Sequence, residues 1–169
     1  KFLREMEFNR LLSSAISVYG EPSFSSSKEE VKTEEKQNPI NKNKYHLITK
    51  PEEIDNWIKE AEEVGEVAVD TETSSLDPHQ ADLIGISLSS KIGKACYIPV
   101  GHKSDKCIDK NLVLGKLKPL LEDSSVKKIG QNIKFDFIVL FNQGIELNSM
   151  EDTMLMSYAL DAGKNRHNM

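Results

Sequence analysis

One short run constrains the fold of this chain more than any other, because it is a hydrophobic strand that ends in two carboxylates. Val67–Val69 leads directly into Asp70, Thr71 and Glu72. Side chains alternate across a β-strand, so Asp70 and Glu72 are expected on the same face. Two carboxylates held this close raise each other's pKa, and a divalent cation would relieve that repulsion. A solvated acidic strand end is the alternative interpretation.

A second acidic motif follows another hydrophobic run further along the chain. Val126–Gly130 is predicted to be a buried strand, and Asp136 comes six residues after its end, in the first turn of a predicted helix. An aspartate at this position also serves as an ordinary partner of the helix dipole. The two motifs together place three carboxylates, Asp70, Glu72 and Asp136, near the ends of two strands. Such an oxygen-rich, thiol-free set suits Mg²⁺ or Mn²⁺.

Composition divides the chain into three zones. Residues 1–19 show helical spacing of their apolar side chains, whereas residues 20–44 are rich in Ser, Glu, Lys and Asn. Residues 20–44 cannot bury enough apolar surface to offset the entropy of ordering, so they are predicted to be a disordered linker. Residues 45–169 carry the periodic patterns of a folded domain. Because the chain begins with Lys1 and not with Met, it is interpreted as a piece of a longer protein.

Residues 45–169 are predicted to form an α/β domain with a mixed sheet flanked by helices. Three strand-like runs separated by turn-rich pieces indicate an antiparallel meander, to which a parallel strand is added. The predicted strands are Tyr45–Ile48, Glu66–Thr71, Leu83–Ser89, Ala95–Val100 and Val126–Gly130, and the predicted helices begin near Glu52, Leu112, Lys134 and Thr153.

Charge and residue type exclude several classes of protein. Residues 45–169 contain 14 basic and 20 acidic residues, a net charge of −6, which does not suit a simple nucleic-acid-binding module. The two cysteines and four histidines show no zinc spacing, and the histidines are predicted to be structural. No run approaches the ~18 apolar residues of a membrane span. A reducing, cytoplasmic location is expected.

The two acidic motifs resemble those of a known family. Val67–Thr73, followed by Ser75-Leu76-Asp77, resembles the first exonuclease motif of the proofreading domains of the bacterial DNA polymerase I family, within the DEDD group of nucleases. Lys128–Asp136 resembles the second motif, and Asp152–Tyr158 resembles the stretch that follows. Phe2–Phe8 resembles the segment that joins the 5′ nuclease region to the proofreading domain. The resemblance runs in order from about Tyr45 to Met169.

The resemblance implies a ribonuclease H-like fold that removes nucleotides from a single-stranded 3′ end of DNA. It implies two divalent ions, Mg²⁺ or Mn²⁺, held by Asp70, Glu72 and Asp136, with one ion organising the attacking water and the other stabilising the leaving oxygen. Leu76, Gln131, Asn132 and Arg166 match residues that hold the DNA end. In the parent chain, the resemblance implies an upstream 5′ nuclease domain, of which residues 1–19 would be the helical end, and a downstream polymerase domain, with roles in replication and repair.

The chain departs from the family pattern at the third motif, a Tyr or His followed four residues later by an Asp. That motif is expected beyond Met169, so the domain is interpreted as truncated at its C-terminal end and weak or inactive by itself. Tyr158 and Asp161 are only three residues apart and do not replace it. Two further hypotheses stay open: a catalytically silent domain that supports the polymerase, and an RNA 3′ exonuclease of the ribonuclease D kind.

Overall fold

The computed structural model describes residues 2–6, 8–20, 45–103 and 106–162. The chain divides into two compact units, residues 1–38 and 39–169. In the first unit, α1 spans Phe2–Glu5 and α2 spans Asn9–Tyr19, and α2 ends at Gly20 with a φ of 78°. The helical prediction for the start of the chain is therefore confirmed. The predicted linker lies, apart from Gly20, outside the described residues.

The second unit is built on a six-stranded mixed sheet in the order β1-β4-β3-β2-β5-β6. Its strands are β1 Tyr45–Leu47, β2 Glu66–Thr73, β3 Leu83–Lys91, β4 Lys94–Pro99, β5 Lys127–Gly130 and β6 Met150–Asp152. Its helices are α3 Glu52–Val64, α4 Lys110–Glu122, α5 Lys134–Asn142 and α6 Thr153–Asp161. This arrangement confirms the predicted α/β class.

The strand pairings place the acidic strand β2 at the centre of the sheet. Strands β2, β3 and β4 form the predicted antiparallel meander. Strand β5 pairs with β2 in parallel, as predicted, so the polypeptide leaves both strands at the same edge of the sheet. The sheet also contains two edge pairings that the sequence analysis did not predict: β1 lies parallel to β4, and β6 lies parallel to β5.

The buried side chains of the sheet and the apolar stripes of the helices pack together in one core. Val67 and Val69 of β2 are buried, and α3 buries Ile54, Trp57 and Ala61 from a single stripe. Helix α3 ends at Gly65, whose φ of 80° is a left-handed conformation that glycine adopts without strain. Within the described part of the chain, every helix is too short or too polar to cross a membrane.

Candidate functional site

The centre of the site is the exposed face of β2. Val67, Val69 and Thr71 point into the core, whereas Asp70 and Glu72 are exposed on the opposite face. The apolar alternation therefore fixes the direction of the acidic pair, because rotating the strand would bury both carboxylates and expose the valines. The shared face predicted from the sequence is confirmed.

The third carboxylate reaches the site from helix α5. Asp136 lies in the first turn of this helix and is only 3% exposed. Its Oδ1 atom accepts a hydrogen bond of 2.8 Å from the backbone N–H of Thr71 and one of 2.6 Å from the Thr71 hydroxyl. Because Thr71 lies between Asp70 and Glu72, these two hydrogen bonds hold the first turn of α5 against the acidic strand. The tertiary structure thus brings together the two motifs, 65 residues apart.

The three carboxylates influence one another electrostatically. Burial raises the pKa of Asp70, and the charges of Asp136 and Glu72 raise it further. Burial also raises the pKa of Asp136, although the hydrogen bonds from Thr71 oppose that shift. Desolvation and the neighbouring negative charges therefore both oppose ionisation of Asp70. A bound cation would reverse both penalties.

The donor set suits a hard divalent cation, because carboxylates are the ligands that Mg²⁺ and Mn²⁺ prefer. Within residues 2–6, 8–20, 45–103 and 106–162, however, no three Asp, Glu, His or Cys side chains already stand together as a metal site. One reason is that Asp136 turns Oδ1 onto Thr71. The described residues therefore offer suitable ligands that are not yet arranged as a closed coordination shell.

An open cleft of about 420 Å³ lies along the acidic pair. It is lined by residues 70–76 and by Phe135. Leu76, at the mouth of the cleft, is 96% exposed, which is unusual for a large apolar side chain and leaves it available for contact with a ligand. Sequence reasoning missed Phe135. Its position immediately before Asp136, at the start of the same helix, was the available signal.

Gln131 and Asn132 lie at the end of β5, beside the cleft and not in its lining. Asn132 has a positive φ of 57°, and its backbone N–H donates to Asp152 Oδ1 at 3.0 Å. The Gln131 Oε1 atom accepts a hydrogen bond of 2.5 Å from the hydroxyl of Thr153. The second motif is thus tied to the start of α6. Arg166 lies outside the described residues.

Asp152 is expected to hold the end of β5 against the start of α6. Its side chain caps α6 and also accepts a hydrogen bond from the backbone N–H of Asn132. Its Oδ1 atom accepts from the backbone N–H groups of Met154 and Leu155. We expect Asp152→Ala to lower the free energy of unfolding by about 1–2 kcal/mol, measured by urea denaturation, and to speed amide hydrogen exchange at Asn132.

The matched control for this prediction is Asp109→Ala. Asp109 caps α4 by accepting from the Leu112 N–H, in a helix whose start is separate from the cleft lining. A similar loss of stability with unchanged amide exchange at Asn132 is expected. Equal effects of the two variants on exchange at Asn132 would contradict a specific role of Asp152 at the junction.

The fold of residues 45–162 is similar to that of solved nuclease structures. The structure of Brucella melitensis NrnC with bound Mg²⁺ is 29% identical over 75% of this chain and 57% of its own, with a TM-score of 0.54. Trypanosoma brucei RNase D in its GMP complex shares the fold, with a TM-score of 0.60 at 13% identity over 71% of this chain and 36% of its own. The fold and the site together define a ribonuclease H-like exonuclease domain.

The sequence comparisons narrow this class to one family. The family model for 3′-5′ exonuclease domains matches residues 45–169, so the chain belongs to this 3′-5′ exonuclease family. A DNA polymerase I of Rhizobium leguminosarum is 41% identical over 152 residues. That match covers 78% of this chain and 15% of the relative, so the chain spans about one-seventh of the polymerase that it resembles.

Proposed function

We propose that this chain is the 3′→5′ proofreading exonuclease segment of a bacterial DNA polymerase and hydrolyses the terminal nucleotide of a single-stranded DNA 3′ end. The observation that carries this proposal is the meeting of the two acidic motifs: buried Asp136 is hydrogen-bonded to Thr71, between Asp70 and Glu72. The family match and the similarity to bacterial DNA polymerase I support the reaction class. In the bacterial cell such a protein works in the cytoplasm, in replication and repair.

Asp70, Glu72 and Asp136 are the residues that would hold two divalent ions, Mg²⁺ or Mn²⁺. When bound, such ions activate the attacking water and stabilise the charge on the leaving oxygen. The role of Asp70 is central because it is the carboxylate whose pKa responds to both of the others. Thr71 positions Asp136 through its backbone N–H and its hydroxyl. The described ligand set is completed, in this proposal, by a carboxylate of the family's third motif further along the parent chain.

The side chains around the cleft suit a strand that is held without base readout. Leu76 and Phe135 offer apolar surface for the terminal bases, and stacking on such surface is tolerant of sequence. Gln131, Asn132 and Arg166 would contact the sugar–phosphate backbone. Residues 1–19 would belong to the end of an upstream 5′ nuclease domain, and a polymerase domain would follow the segment.

The test is release of labelled nucleotides from the 3′ end of single-stranded DNA by the parent protein that contains this segment. We expect release in Mg²⁺ or Mn²⁺, and its loss when EDTA removes the metal, because the bound ions would supply both the activated water and the stabilisation of the leaving oxygen. RNA of the same sequence is the comparison substrate, and primer extension by the same preparation shows that the protein is folded.

Each outcome discriminates between the hypotheses. A folded, extending protein that releases no nucleotide in either metal would assign this segment a structural role. Faster release from RNA than from DNA would assign it to RNA processing. Metal-dependent release with a preference for DNA supports the proposed function.

A further inference from the structure

Strand β4 presents a tyrosine on the same sheet face as the acidic pair. In the sheet register, Asp70 lies opposite Ser87, and Ser87 lies opposite Tyr97. Residues directly opposite each other point to the same face of a sheet. Tyr97 is only partly exposed, so its ring lies along the sheet instead of projecting into solvent. The acidic face of the sheet therefore continues across β3 to an aromatic side chain on β4.

A glycine on β3 allows the Tyr97 ring to lie next to Glu72. Gly85 is the residue of β3 that lies opposite Glu72. A Cβ atom placed on Gly85 would stand 2.0 Å from Tyr97 Oη and 2.3 Å from Tyr97 Cζ, so the phenol occupies the space that any side chain here would need. The phenol oxygen thus lies over the residue that is paired across the sheet with Glu72.

The Tyr97 hydroxyl is paired with a histidine from the loop that follows β4. Tyr97 Oη and His102 Nε2 are 2.6 Å apart, and the two rings meet edge to face with centroids 5.7 Å apart. The Gly101 N–H anchors the loop by donating to the Ile84 carbonyl at 2.9 Å. A Cβ atom on Gly101 would stand 2.8 Å from the Leu83 carbonyl oxygen, so this close approach also requires glycine.

The other end of the loop is also held. Cys107 Sγ donates to the His102 carbonyl at 3.2 Å. Two close-approach glycines and a thiol contact therefore place the His102 ring against Tyr97. These contacts hold His102 more firmly than an incidental surface contact would. The histidines were predicted to be structural, and this pairing of His102 with Tyr97 was not predicted.

A DNA strand at this cleft needs hydrogen-bond donors. The cleft lining contributes carboxylates, hydroxyls, Leu76 and Phe135, and none of these lining residues is a Lys or Arg. The hydrogen bond between Tyr97 Oη and His102 Nε2 uses one proton of this pair, which leaves the other group, the phenol O–H or the imidazole Nδ1–H, to donate outward. Either group can donate to a phosphate oxygen, and donation to a charged oxygen is stronger than donation to a neutral one.

We propose that Tyr97 and His102 form a second strand contact, which donates a hydrogen bond to a phosphodiester oxygen of the DNA strand on the Glu72 side of the cleft. This inference rests on the proposed exonuclease function and adds a binding element to it. The pair positions the strand and takes no part in bond cleavage. Its removal should therefore change strand affinity and leave the chemical step intact.

The test is single-turnover 3′-nucleotide release by the parent protein across a range of protein concentrations. For Tyr97→Phe, which keeps the ring and removes the hydroxyl, we expect the half-saturating concentration to rise at least about tenfold, the effect of losing one hydrogen bond to a charged oxygen. The maximal rate and the melting temperature should stay close to wild type. Tyr45→Phe, a tyrosine on edge strand β1 of the same sheet, is the matched control and should change neither value.

Two further variants separate strand contact from packing. Gly85→Ala pushes the phenol aside without removing it, so it should weaken binding as Tyr97→Phe does, and the double variant should show no additional loss. His102→Ala should weaken binding, and His102→Gln, which retains an N–H donor, should recover part of it.

The outcomes are distinguishable from failure of the proposed function. A wild-type protein that releases no nucleotide overturns the proposed function and this inference with it. Normal wild-type release with an unchanged half-saturating concentration in Tyr97→Phe overturns this inference alone. A Tyr97→Phe effect confined to the melting temperature, or to the maximal rate, also overturns it, because either would assign the pair a role other than strand contact.

Discussion

Replacing Asp70 with alanine is expected to reduce metal-dependent 3′-nucleotide release on the order of a thousandfold. Asp70 is exposed on the central strand, and both Asp136 and Glu72 raise its pKa, so it lies where the three carboxylate charges converge. In the proposed function, removing it deletes the carboxylate that would bind both ions. The measurement is the single-turnover rate in saturating Mg²⁺, with the wild-type parent protein beside it.

The matched control for Asp70→Ala is Glu66→Ala. Glu66 is an exposed carboxylate at the other end of β2 and lies four residues before Asp70, on the same face of the strand. Its removal should leave the rate within about twofold of wild type, because it does not line the cleft. A wild-type rate in Asp70→Ala, or an equal loss in Glu66→Ala, would contradict the assignment.

Asp70→Asn distinguishes a catalytic from a structural role. This variant keeps the shape of the side chain and removes the charge that burial, Asp136 and Glu72 all disfavour. Activity should fall as in Asp70→Ala, whereas stability should stay equal or increase, as is common when a strained functional charge is removed. Loss of both activity and stability would indicate that Asp70 mainly supports the fold.

The largest effect on stability is expected from Lys128→Met. Lys128 lies on β5, next to the second acidic motif, and has no exposed surface. Its ammonium group donates to the carbonyls of Asp123 and Val126, the latter at 2.6 Å, and lies 3.5 Å from that of Leu120. These carbonyls end helix α4 and form the turn into β5.

Two opposing terms decide the sign of the Lys128→Met effect. Burial lowers the pKa of Lys128, so the charged form is costly to desolvate, and methionine removes that cost. Methionine also leaves buried carbonyls without a donor, at about 1–3 kcal/mol each. Because more than one carbonyl loses its partner, we expect a net loss of about 2–4 kcal/mol in the free energy of unfolding, measured by urea denaturation.

The neighbouring residue supplies the control for this variant. Lys127 is partly exposed and pairs with Glu151 at 2.8 Å, so Lys127→Met should cost less than about 1 kcal/mol, as is usual for surface ion pairs. If Lys128→Met proves as stable as Lys127→Met, the buried ammonium does not hold the α4–β5 turn.

Local patterns predicted the elements of this domain well. The alternation of Val67 and Val69 with polar residues determined which way Asp70 and Glu72 face, because a strand has a period of two. Helix α5 begins at Lys134, where it was predicted to begin, since an apolar helix between a strand and a glycine leaves little freedom. The motifs that carry the family match are likewise contiguous in the sequence.

The sequence by itself thus determined the helices of the domain, five of its six strands, the acidic pair and the family. Only the tertiary structure decided that Asp136 meets Thr71, that Lys128 is buried at the end of α4, and that Tyr97 lies over Gly85. The physical reason is that propensity and periodicity act over a few residues, whereas each of these contacts depends on strand order and register. Strand order and register depend on how the whole core packs. Strands β1 and β6, with three residues each, are too short for their sequence pattern to reveal how they pair.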